Sequence, residues 1–87
     1  MVIIHKQNIV DMVLMETFAE LHQVSEKLRF FQKKYHQDFE KFSIEIKKEE
    51  ENFEHYDDYI EWKAYTQLFR DLNQKIEDLK HGNLQVT

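Results

Sequence analysis

A regular stripe of side chains along residues 10–35 constrains the fold of this chain more than any other feature. Its members follow one another at steps that alternate between four and three, and all but Thr17 are apolar: Val10, Leu14, Thr17, Leu21, Val24, Leu28, Phe31 and Tyr35. A mean step of about 3.5 residues is typical of a helix that buries a narrow seam against another helix. The chain has no proline and a single glycine, so little interrupts a long helix.

A second stripe of the same kind lies in the C-terminal part of the chain. Its members are Trp62, Tyr65, Phe69, Leu72, Ile76 and Leu79. Together the two stripes predict an all-α domain over residues 1–87, with helices at about 8–35 and about 57–81 and a short connector helix at about 38–48. Asn8 with Asp11 resembles a capping box, Asp38 suits a connector N-cap, and Gly82 suits a left-handed residue after the last helix.

The two long helices fit each other as an antiparallel hairpin. In such a pair the residue numbers of facing side chains add up to one constant total, as they do for Leu14–Leu79, Thr17–Ile76, Leu21–Leu72, Val24–Phe69, Leu28–Tyr65 and Phe31–Trp62. Each layer then combines an a position with a d position, as antiparallel coiled coils require. The same seams fit pairing between two chains, so the sequence leaves the intramolecular and intermolecular arrangements open.

Composition limits the class of protein. With 87 residues the chain forms one small domain, and its 41% hydrophobic and 33% charged content suits an exposed helical bundle. It has no cysteine, so a second chain is the expected supplement to so small a core, and we expect a homo-oligomer. We expect a cytoplasmic protein, because no segment has the apolar run of a signal peptide or a membrane span. The net charge of −5 argues against nucleic acid as the partner.

The N-terminal half of the first helix is apolar beyond its seam. The additional apolar side chains are Ile9, Met12, Val13, Met15 and Phe18. A two-helix hairpin buries one stripe per helix, and the connector starts at the far end of this helix, so we expect these side chains to form an oligomer or partner interface. Coverage by the ends of the chain itself is the alternative.

Acidic residues are concentrated between the connector and the last helix. Residues 49–61 contain no Lys or Arg, and their acids are Glu49, Glu50, Glu51, Glu54, Asp57, Asp58 and Glu61. This stretch predicts an acidic face that meets a basic protein partner. The alternative is a solvated helix start that Lys27, Arg29, Lys33 and Lys34 neutralise from the same end of the hairpin.

The motifs of catalysis and of metal binding are missing from the sequence. No two of the five histidines stand three or four residues apart, and no glycine-rich elbow or phosphate loop accompanies a serine or threonine. We therefore expect no cofactor, no metal and no enzymatic activity. The aromatic residues Tyr56, Tyr59, Trp62 and Tyr65 resemble a base-stacking platform, but their helical spacing predicts that they belong to the core and the seam.

One part of the chain resembles a known class of proteins. Lys34-Tyr35, then Asp38-Phe39-Glu40-Lys41-Phe42, and finally Asp58-Tyr59-Ile60-Glu61-Trp62 resemble small prokaryotic antitoxin-like helical proteins, which are encoded beside a compact toxin. The resemblance covers about Lys33 to Leu79. Those proteins tend to have glycine after Lys-Tyr, where this chain has His36, so the angle between the first helix and the connector is in doubt.

The resemblance implies a non-enzymatic subunit that binds and blocks a small toxin through helical surface. The patterns of charge and hydrophobicity independently favour a protein-binding or regulatory subunit. A structural coiled-coil oligomerisation module without inhibitory role is the alternative.

Overall fold

The computed structural model describes residues 6–49 and 52–81. In that part of the chain all regular structure is helical: α1 (Lys6–Tyr35), α2 (Phe39–Ile46) and α3 (Phe53–Lys80). α1 packs antiparallel against α3, and α2 packs on α3 at the end where the chain turns. The molecule is a rod of 62 × 19 × 18 Å. The predicted all-α hairpin with a short connector helix is confirmed, and its long helices pair within one chain.

At the turn end, the contacts between α1 and α3 follow the predicted register. Phe31 stacks on Trp62, and the Tyr35 hydroxyl donates a hydrogen bond to Asp58, which is the next position along the same alignment. The seam residues of both helices are buried or half-buried. Those buried most completely are Thr17, Val24, Phe31, Trp62, Leu72, Ile76 and Leu79.

Thr17 is the polar member of this seam, and its hydroxyl is satisfied locally. The Oγ1 atom donates to the carbonyl oxygen of Val13 at 2.6 Å, one turn earlier in α1. A buried hydroxyl is costly only when it lacks a hydrogen-bond partner. Thr17 therefore occupies the seam without leaving a buried polar atom unsatisfied.

Two predicted helix starts were wrong. α1 includes Lys6, so Asn8 lies inside the helix and does not form a capping box with Asp11. α3 begins at Phe53 rather than near Asp57, because the Asn52 side chain caps it by accepting a hydrogen bond from the backbone N–H of His55 at 3.2 Å. The acids at 57 and 58 lie in the second turn of α3 and do not mark its start.

The turn between α1 and α2 depends on two neighbouring residues. His36 adopts a positive φ of 54°, the left-handed conformation that glycine usually provides after a helix. Asp38 caps α2 as predicted, by accepting a hydrogen bond from the backbone N–H of Lys41 at 2.9 Å. α2 ends at Ile46, slightly before the predicted end.

α3 ends at Lys80, close to its predicted end. The His81 backbone N–H donates to the Glu77 carbonyl oxygen at 3.0 Å, and Lys80 lies in the last turn, where a cation favours the helix dipole. The proposed left-handed role of Gly82 lies outside the described residues.

Candidate functional site

The three helices converge at the turn end of the hairpin on an aromatic cluster formed by Phe31, Phe42 and Trp62. The Trp62 ring lies 5.5 Å from the Phe31 ring and 5.2 Å from the Phe42 ring, measured between centroids. Phe39 and Tyr35 pack around it, with Phe39 stacked on the ring of Tyr59. Because each helix contributes at least one buried ring, the cluster holds α2 and the first half of α3 in fixed relative positions.

A polar network joins α1 to α3 at the rim of the aromatic cluster. The Lys34 ammonium donates to the Asp58 carboxylate at 2.7 Å and to Glu54 at 3.4 Å. The Tyr35 hydroxyl donates to the same Asp58 oxygen. Asp58 is therefore turned toward the chain itself, and its carboxylate bridges two neighbouring residues of α1.

The pKa shifts of this network agree with its geometry. Burial disfavours the charged form of Asp58, but hydrogen bonds from Lys34 and Tyr35 outweigh that effect and lower its pKa. Burial and the hydrogen bond to Asp58 raise the pKa of Tyr35, and the hydrogen bond to Asp58 raises the pKa of Lys34. Each residue is held in the protonation state that the hydrogen bonds require, as expected for a structural ion-pair network.

A second polar pair, between Glu49 and His55, connects the segment before α3 to the first turn of α3. His55 Nδ1 lies 2.8 Å from the Glu49 carboxylate, and the His55 ring meets the Tyr35 ring edge-on. Glu50 and Glu51, which the sequence placed on the acidic face, lie outside the described residues.

Four of the described acids of this stretch are open to solvent. Glu49, before α3, is exposed, and so are Glu54, Asp57 and Glu61 on α3. Arg29, which the sequence placed as a neutralising cation, bridges Glu26 of its own helix at 2.7 Å. Lys34 is thus the α1 cation whose ion pairs reach this stretch, through Asp58 and Glu54.

An apolar stripe that sequence reasoning missed lies on α3 beside two of these acids, Asp57 and Glu61. We call it the outer stripe: Phe53, Tyr56 and Ile60, which are 77%, 56% and 51% exposed. At about 100° per residue, Tyr56 and Ile60 point away from the side of α3 that carries Trp62 and Tyr65. The prediction that Tyr56 belongs to the core was therefore wrong, whereas Tyr59 and Tyr65 are half-buried and Trp62 is buried.

The apolar residues near the start of α1 divide into two groups. Met12, Met15 and Phe18 are exposed, whereas Ile9 and Val13 are half-buried beside the seam. α2 packs at the other end of the rod, as the length argument predicted. The Lys80 ammonium lies 6.0 Å from the centre of the Phe18 ring, so α3 partly shields that one residue.

Comparison with known proteins identifies a family for this chain. The model of the uncharacterized protein MJ0235 family matches residues 1–84. The chain belongs to this family. No curated protein and no solved structure matches it.

In this MJ0235-family chain, residues 6–49 and 52–81 contain no group of three or more His, Cys, Asp or Glu side chains placed to hold a metal ion. None of the helices described there combines the length and the apolarity that crossing a membrane requires. The features that stand out in this part of the chain are surfaces: the outer stripe with its acids on α3, and the exposed apolar residues of α1.

Proposed function

We propose that this chain is a non-enzymatic, antitoxin-like or regulatory subunit that binds a basic protein partner through the outer stripe of α3. The observation that carries the proposal is the exposure of Phe53, Tyr56 and Ile60 beside Asp57 and Glu61. An apolar centre with a charged rim is the usual composition of a protein-binding surface.

The underlying scaffold supports this proposal. Trp62 and Tyr59, on other sides of the same helical segment, are held in or against the aromatic cluster. A surface whose backbone is already fixed loses little conformational entropy on binding. Aromatic anchors such as Tyr56 contribute a large share of the binding energy in many interfaces.

The charge of the surface favours a basic partner over nucleic acid. Asp57 and Glu61 lie along one side of the outer stripe, and the whole chain carries a net charge of −5. Such a surface attracts Lys- and Arg-rich proteins and repels a phosphate backbone. The toxins encoded beside the antitoxin-like proteins that residues 33–79 resemble are often ribonucleases, which act on a polyanion. An acidic surface that covers a basic one is consistent with that resemblance.

Co-expression with the product of the neighbouring gene tests the proposal. We expect the two proteins to purify together and the complex to lack the growth inhibition that the partner causes alone. A neighbouring gene that encodes no toxic protein, or a toxic product that forms no complex, would refute the antitoxin-like function.

Matched variants test the surface. Tyr56→Ala with Ile60→Ala should weaken the complex by at least about 100-fold, because anchor residues each contribute about 2 kcal/mol or more. Ile44→Ala is the control, since Ile44 is as exposed as Tyr56 but lies on α2. If both variants bind the partner with equal affinity, the partner binds a surface other than the outer stripe.

A structural coiled-coil oligomerisation module is the second candidate function. The exposure of Met12, Met15 and Phe18 favours it, because these residues lie far from the outer stripe and suit self-association. Self-association without any complex in the co-expression experiment would favour this module over an antitoxin-like subunit.

A further inference from the structure

The side of α1 that faces away from α3 carries exposed apolar residues at both of its ends. Met12 and Met15 are 61% and 73% exposed near one end, and Phe30 is 56% exposed near the other. Phe30 contacts Phe31 edge-on at 5.4 Å between ring centroids, but much of its ring remains in water. This outer face of α1 is not the face that packs on α3.

The charges of α1 are divided between the same two ends. Between residues 8 and 26 the charged residues are all acids: Asp11, Glu16, Glu20 and Glu26. Between residues 27 and 35 they are all bases: Lys27, Arg29, Lys33 and Lys34. After Lys6 in its first turn, the helix therefore has a long acidic segment and a basic C-terminal end.

We propose that two copies of this chain pair through the outer faces of their α1 helices, in antiparallel orientation. Met12 of each copy then lies opposite Phe30 of the other, and Glu16 lies opposite Lys27. This proposal does not depend on the binding of a basic partner to α3.

Helical geometry makes these two pairings compatible. Met12 and Phe30 are about five whole turns apart, and Glu16 and Lys27 are about three turns apart, so each pair projects on one side of α1. The midpoints of both pairs fall at nearly the same place, at residue 21 for Met12 and Phe30 and between residues 21 and 22 for Glu16 and Lys27. A two-fold axis at that point therefore brings both pairs together in one symmetric contact.

Charge decides the orientation and favours a second copy as the occupant. A parallel pair would place Glu16 opposite Glu16 and Lys27 opposite Lys27, whereas the antiparallel pair places Glu16 of each copy opposite Lys27 of the other. Glu16 and Lys27 are both exposed, so each is accessible for the proposed pairing. The outer face of α1 in one copy is thus complementary in charge to the same face of a second copy that runs in the opposite direction.

Charge reversal tests the pairing in the full chain. Wild-type protein should sediment as a dimer, and Glu16→Lys or Lys27→Glu alone should each weaken dimerisation by about tenfold, because a symmetric dimer contains each altered pair twice. An equimolar mixture of the two variants should recover the affinity of the wild type, since every altered pair is again of opposite charge.

Lys75→Glu on α3 is the matched control, and its dimerisation should equal that of the wild type. Circular dichroism checks that each variant remains helical. A wild-type chain that stays monomeric at the highest concentrations, or a mixture that fails to recover the dimer, would overturn the proposal.

Cysteine pairing tests the register, because the chain has no cysteine of its own. Mixed Met12→Cys and Phe30→Cys chains should oxidise mainly to the 12–30 disulfide. In the antiparallel dimer the two copies of residue 12 lie about 27 Å apart, too far for a disulfide. Predominant 12–12 and 30–30 disulfides would show a parallel pair and overturn the proposed orientation.

Discussion

The two ends of the rod are built differently. At the turn end three helices enclose Phe31, Phe42 and Trp62, and the network of Lys34, Tyr35 and Asp58 closes the rim. At the open end two helices share the seam, and α1 leaves Met12 and Met15 largely in water. At the turn end a three-helix aromatic cluster and ion pairs therefore stabilise the fold, whereas the open end depends on the two-helix seam alone.

The largest effect that this comparison predicts is at Trp62. Trp62→Ala should cost about 3–5 kcal/mol of unfolding free energy, because it removes ring contacts with residues of both α1 and α2 and leaves a cavity that they cannot fill. At the open end, Ile76→Ala should cost less, about 2 kcal/mol, because the two-helix seam can collapse or admit water. Urea denaturation at low protein concentration measures both values.

Ile44→Ala is the control for these truncations, since it removes an apolar side chain that is 56% exposed on α2. Its unfolding free energy should stay within about 0.5 kcal/mol of the wild type. A cost at Ile76 equal to that at Trp62 would contradict the proposed difference between the two ends.

The second effect concerns the polar rim. Tyr35→Phe should cost about 1–2 kcal/mol at neutral pH, because it removes a hydrogen bond to the charged Asp58 carboxylate. Since folding lowers the pKa of Asp58, the stability from its charge is present above the ordinary carboxyl pKa and is lost as the pH falls through the lower folded value. The cost of Tyr35→Phe should therefore shrink in acid, which urea denaturation at pH 7 and near pH 3 measures.

At high pH the stability that the same network provides should fall as the pH rises. Folding raises the pKa values of Tyr35 and Lys34, so their contributions are complete below the ordinary values of 10.0 and 10.5 and are lost as the pH rises through the folded ones. The wild type should thus lose more stability than Tyr35→Phe above pH 10. Parallel pH profiles for the two proteins would exclude this role of Tyr35.

The third predicted effect is a gain in stability at His36. His36 holds a left-handed conformation that costs an L-residue about 1–2 kcal/mol, so His36→Gly should stabilise the chain by about 1 kcal/mol after the greater entropy loss of glycine is subtracted. His22→Gly, in the middle of α1, is the control and should cost about 1 kcal/mol. Thermal melts of both variants measure the effects, and destabilisation by His36→Gly would mean that the His36 side chain stabilises the turn.

The two stripes were sufficient to predict the long helices and the Phe31–Trp62 layer, but they fit pairing within one chain and between two chains equally well, and only the contacts between α1 and α3 decide between the two. The sequence was less informative at the start of α3, where Asn52 and Asp57 are both acceptable caps and tertiary packing decides between them. The positions of Phe53, Tyr56 and Ile60 also repeat at steps of three and four. Periodicity alone did not distinguish that outer stripe from the seam, since only the contact with α1 establishes which stripe is buried.

The smallest predicted effect tests how the open end accommodates Thr17. The Thr17 hydroxyl donates to the Val13 carbonyl, which lies within the same helix. Thr17→Val removes this hydrogen-bond donor, but the Val13 carbonyl lies within α1 and does not need the hydroxyl as its partner. The change also places a methyl group in the seam, so the unfolding free energy should rise by up to about 0.5 kcal/mol. Thr66→Val is the matched control, because its hydroxyl makes the same bond to the Trp62 carbonyl from a half-buried position. If Thr17→Val instead costs more than 1 kcal/mol, measured by urea denaturation, the hydroxyl stabilises the open end, and polar satisfaction matters as much there as at the turn end.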